Sequence, residues 1–77
     1  MVNKIQFEYK DSDPFLEIIT NYEPEIGDTV YYELKGSEEN YQDIRDLING
    51  NLDLEGVISE KWVNLSDGYI LWTALLD

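Results

Sequence analysis

Carboxylates are the side chains in this sequence with chemistry to offer. Seventeen Asp and Glu stand against five Lys and Arg in 77 residues, a formal charge of −12. Carboxylates in such number can act as general acid and base, hold cations, or present negative charge to a basic surface. His and Cys are both absent. A disulfide framework, a His/Cys zinc site, a cysteine nucleophile and a His-based triad are therefore excluded.

The first two uses find little support in the spacing. An acid–base pair needs a pocket, and a chain this short rarely encloses a deep one. No Ser lies in a G-x-S-x-G elbow and no Gly-rich phosphate loop is present. Asp11-Ser12-Asp13 starts like a calcium loop, but Pro14 and Phe15 follow where the loop pattern fails. That pattern needs a glycine at its sixth position and a glutamate at its twelfth. A polar turn is the better reading. The expectation is a protein that is not an enzyme and uses no cofactor or metal.

The third use fits the pattern better. Residues 11–55 carry a net −11, and the two ends hold −1 between them. The densest clusters are Asp11/Asp13, Glu23/Glu25/Asp28, Glu38/Glu39 with the helix that follows, and Asp53/Glu55. With Glu39 at zero on a helical wheel, Asp43 falls at about 40° and Asp46 at about −20°. Tyr41, Ile44 and Ile48 fall on the opposite side. A carboxylate stripe of Glu39, Asp43 and Asp46 thus backs an apolar one. Like charges at helical spacing destabilise an isolated helix, so the stripe reads either as a plain solvated face or as a surface for a basic partner. The partner-binding candidates are Glu23, Glu25, Asp28, Glu38, Glu39, Asp43, Asp46, Asp53 and Glu55. Direct nucleic-acid binding is disfavoured, because phosphates repel this charge. Of the aromatics, Tyr31 is the best candidate for an exposed interface anchor.

These residues must be positioned by short elements. Ile5, Phe7 and Tyr9 alternate with Lys4, Gln6, Glu8 and Lys10, a half-buried strand. Asp11 to Pro14 turns the chain into a second strand, Phe15–Tyr22. There Leu16, Ile18 and Tyr22 are expected inward, and Phe15 and Ile19 on the other face, needing cover. Val30, Tyr32 and Leu34 alternate with Tyr31, Glu33 and Lys35 in a third strand that Gly36 ends. Tyr41, Ile44, Leu47 and Ile48 then recur at helical period. A helix over Glu38–Asn49 is expected, capped by Ser37 and stopped by Asn49-Gly50. Leu54–Val63, a Leu65–Gly68 turn and the nearly all-apolar Tyr69–Leu76 form a hairpin whose last strand should be central. The order β-β-β-α-β-β predicts a small single α+β domain over residues 1–77, with one helix and a mainly antiparallel five-stranded sheet. A small SH3-like or partly open barrel is the alternative.

High net charge is also a signature of disorder. Here Leu, Ile, Val and Phe number 23 of 77 residues, above the roughly 20% below which disorder is the better reading. Ten aromatics add surface to bury. A folded domain of limited stability is expected, for which a homodimer would be one support. No apolar run is long enough for a membrane span, and the polar Met1–Lys10 does not read as a targeting segment.

In size and charge over its whole length, the chain resembles the acidic DNA-mimic inhibitors of bacteriophages. It also resembles the immunity proteins that neutralise nuclease toxins. No motif carries the resemblance, so no individual residue role comes with it. It implies a cytoplasmic protein of a bacterial host cell that offers carboxylates where a basic DNA-binding protein expects phosphates. Such a target would be a nucleoid-associated protein such as HU, or a defence or repair nuclease. The competing reading is an interaction domain whose acidity serves solubility alone.

Overall fold

The computed structural model describes residues 1–76. Its elements are β1 (Val2–Tyr9), β2 (Leu16–Thr20), β3 (Thr29–Glu33), α1 (Tyr41–Leu47), β4 (Asp53–Asn64) and β5 (Tyr69–Leu76). All five strands join one sheet in the order β2-β1-β5-β4-β3. The sheet is mixed rather than mainly antiparallel. β1 runs parallel to β5, while β1–β2, β4–β5 and β3–β4 are antiparallel. Of the barrel alternatives the partly open one is found: the sheet is a curled half-barrel rather than a closed SH3-like barrel, because β2 and β3 remain as its two edges.

Alternation puts Ile5, Phe7, Leu16, Leu54, Ile58, Trp72 and Ala74 on the inner face, all buried. The apolar run of β5 is explained by its central place between β1 and β4. α1 closes the inner face by turning Ile44 and Ile48 into the core beside Leu34. Two buried polar groups are satisfied: the Trp72 indole N–H donates to Asn3 Oδ1 (3.3 Å), and Gln6 Nε2 donates to Thr73 Oγ1 (2.9 Å). Gly56 lets β4 approach β5, since a Cβ there would lie 3.0 Å from that of Ala74.

A register shift between Ile58 and Glu60 leaves Ser59 as an extra residue. Such a bulge moves every later side chain to the other face. Lys61 therefore lies opposite Trp72 on the inner side, with its ammonium 5.1 Å from the ring centroid, and Trp62 turns outward, 64% exposed.

Three local expectations change. The helix is Tyr41–Leu47, not Glu38–Asn49. Asn40 precedes it in the left-handed conformation (φ 62°) and no side chain caps it, so Ser37 is not the cap. Tyr22 is exposed rather than inward, because β2 ends at Thr20. Phe15 is half-buried and stacks on Tyr9 at 5.6 Å. Ile19 does face outward, uncovered and 68% exposed. No helix among the described residues is long and apolar enough to cross a membrane.

Candidate functional site

The carboxylates fall into three groups arranged around β3. At its start lies the Asn21–Asp28 loop, which is tied to β4: Gly27 N–H donates to Ile58 O, and Ile58 N–H donates to Asp28 O, both at 2.8 Å. Gly27 has φ 95°, a conformation open to glycine. The Asp28 carboxylate accepts from Glu25 N–H (2.9 Å) and from the Tyr22 hydroxyl (3.4 Å). Asp28 thus shapes the loop, while Glu23 and Glu25 are exposed around buried Pro24. Lys61 lines the same shallow cleft and offsets part of their charge.

The second group stands on the outer face where β3 meets β4. Glu33 lies directly opposite Asp53, and Tyr31 opposite Glu55. All four are exposed. The Tyr31 hydroxyl donates to Asp53 Oδ1 at 2.8 Å. That bond, together with the nearby negative charge of Asp53 and Glu33, raises the pKa of Tyr31 above its ordinary value. The result is an exposed aromatic ring with three carboxylates around it. Residues two apart on a strand are about 7 Å apart along it. Asp53 therefore lies within about one Debye length at physiological salt, about 8 Å, of both Glu33 across the ladder and Glu55 along its own strand, and the three act together as one field. Such a field suits an Arg or Lys, which can stack on the ring and pair with a carboxylate.

The third group follows β3. Glu38, in the turn before α1, accepts a hydrogen bond from the Tyr32 hydroxyl. This bond, with burial, pushes the Tyr32 pKa up to about 12. Glu39 is exposed in the same turn, outside the helix, so the expected three-residue stripe is reduced to Asp43 and Asp46. Asp46 accepts from Gln42 Nε2 at 3.1 Å. With Ile44 and Ile48 turned into the core, Asp43 and Asp46 point away from it. They form a surface separate from the outer face that carries Asp53 and Glu55.

The structure therefore brings Asp53 and Glu55 together with two residues outside the candidate set, Tyr31 and Glu33. Of these two, Tyr31 is the anchor expected from its strand position. The alternation of β3 placed Glu33 on Tyr31's face, but only the pairing with β4 put Asp53 opposite it. Among the described residues the one ion pair is Lys4–Glu17 at 3.7 Å. No three acidic side chains among them converge as a metal site. Asp11-Ser12-Asp13 is a tight turn in which the Ser12 hydroxyl donates to Tyr9 O (2.9 Å) and accepts from Tyr9 N–H (3.1 Å). No family model matches the chain, and no curated protein or solved structure matches it.

Proposed function

We propose that this protein is a non-enzymatic inhibitor that binds a basic nucleic-acid-binding protein by offering carboxylates in place of DNA phosphates. The observation that carries the reading is the outer-face patch of Glu33, Asp53 and Glu55 around the exposed Tyr31 ring. Glu33 and Asp53 are directly opposed like charges, an arrangement that costs stability. A solubility role needs dispersed charge, not charges set against each other at one edge. Glu23 and Glu25 precede β3, and Glu38 and Glu39 follow it, so negative charge flanks the strand at both ends. A field of this sign speeds association with cationic surfaces and repels nucleic acid. The site of action is the cytoplasm of a bacterial cell, and HU-like nucleoid proteins or defence and repair nucleases are the candidate targets.

The test is competition. Fluorescently labelled duplex DNA is bound by HU, and by a panel of basic DNA-binding proteins and nucleases, at low salt, and this protein is titrated in. Displacement of DNA from a panel member, weakening steeply with added salt, is the expected result. If every member keeps its DNA with this protein in excess, the proposal fails.

A further inference from the structure

We propose that the open seam of the half-barrel takes an extended basic segment of the partner, which adds as a strand along β3. The inference rests on the binding role above and specifies how the partner is held.

The sheet order leaves β2 and β3 unpaired on one side each. Its curl brings them to the two sides of a single groove of about 370 Å³. Ile5, Phe7, Ile18, Val30 and Tyr32 line it, with Tyr31 at the rim. A sheet edge offers a row of unpaired N–H and C=O groups, and an extended chain is their natural complement.

The ladder identifies which groups are free. Ile58 N–H donates to Asp28 O, and Leu34 N–H donates to Leu52 O. Hydrogen-bonded and non-hydrogen-bonded pairs alternate along an antiparallel ladder. Val30 and Tyr32 therefore engage β4, and Thr29, Tyr31 and Glu33 direct their backbone groups outward. These three also carry the outer-face side chains. A strand laid on this edge would set its inward side chains beside Val30 and Tyr32 in the apolar groove. Its outward side chains would sit beside Tyr31 and Glu33, with Asp53 and Glu55 one strand further on. The complement is thus apolar at every second residue and basic at the others.

Charge selects this occupant over a second copy of the chain. Two copies joined at this edge would bring two −12 bodies and their Glu33 carboxylates together. Tyr31 lines both the groove and the acidic patch, so one segment can use both.

The probes are short labelled peptides of alternating Lys and Val, read by fluorescence anisotropy and by amide exchange of the intact protein. One control has the same composition in two blocks. Another alternates Thr and Val without charge. Two more are N-methylated on one or the other set of alternate amides. The alternating basic peptide should bind at least about ten-fold more tightly than the block and neutral peptides. Only one of the two methylated versions should lose binding, because alternate amides point to opposite sides of a strand. Exchange at Thr29, Tyr31 and Glu33 should slow on binding. Equal affinity for the block peptide would overturn the strand mode while leaving the acidic-surface reading intact. Equal affinity for the neutral peptide would overturn the basic occupant. Slowed exchange at these amides on raising protein concentration alone would assign the seam to a second copy. Peptide binding of the expected kind, with every panel protein keeping its DNA, would sink the inhibitor role and leave the seam standing.

Discussion

Replacing Glu33 by Lys separates the stability of this fold from its proposed use. Glu33 and Asp53 are opposed across β3 and β4 in a non-hydrogen-bonded pair, where Cβ atoms approach to about 4.5–5.5 Å. Two unit charges about 6 Å apart in a water-like dielectric repel by roughly 0.7 kcal/mol. Lysine removes that repulsion and adds an attraction of similar size. Holding two long side chains in place takes back part of the gain. The expected net stabilisation is about 1 kcal/mol at low ionic strength, or roughly 4–8 °C in Tm for a domain of this size. Thermal and urea melts at low salt measure it. At about 1 M salt the Debye length is about 3 Å, so most of the gain should vanish. The wild-type protein should itself melt higher as salt is first added, because screening relieves its acidic excess. In an Asp53→Asn background the gain should shrink sharply, since the opposing charge is gone. A gain that survives both high salt and the Asp53→Asn change would refute the electrostatic reasoning. The same Glu33→Lys protein should displace DNA from its target less well than wild type, though more stable. Undiminished competition would remove the outer-face patch from the binding site.

Two other predictions concern the groups that hold β3 and β4 in place. Tyr32, with its pKa raised to about 12 by the Glu38 hydrogen bond and burial, holds its proton more tightly folded than unfolded. Its contribution is fully present below pH 10 and is lost as pH rises from about 10 towards 12. Tyr32→Phe should therefore cost about 1 kcal/mol near pH 8, and the difference in urea midpoint should close by about pH 11.5; a gap unchanged across that range would contradict the assignment. Gly56→Ala places a Cβ 3.0 Å from Ala74 Cβ and 3.2 Å from the Ala74 carbonyl carbon and Leu75 O. It should destabilise by about 1–3 kcal/mol in urea melts, and Ala74→Gly, which relieves only the first contact, should restore part of the loss.

How far the sequence could be read depended on how local each feature was. The alternation of Ile5, Phe7 and Tyr9 located β1, and the apolar run of Tyr69–Leu76 marked β5 as central. Leu65–Gly68 lies in the turn between β4 and β5, and Asn49-Gly50 ends the helix in left-handed geometry. The helix starts later than its local pattern implies, because Ser37, Glu38 and Glu39 have the residue types of a cap and first turn. In the fold, Asn40 adopts a positive φ and the Glu38 carboxylate binds Tyr32 instead. That competition comes from a residue on another element, which a local pattern does not contain.

The sequence by itself determined the chemistry: a charge of −12, no His or Cys, and acidity gathered between residues 11 and 55. It also determined that Tyr31 and Glu33 share one face of their strand, because a strand's period is two. Only the tertiary structure decided which carboxylates meet. The β3–β4 register set Asp53 against Glu33 and brought Tyr31 to its hydroxyl partner, while burial of Ile44 and Ile48 turned Asp43 and Asp46 to the side of the helix away from the core. The parallel β1–β5 pairing, joining residues at opposite ends of the chain, fixed β2 and β3 as the free edges of the groove. Register and edge identity arise from which strands neighbour one another, a long-range choice made by the packing of the whole core.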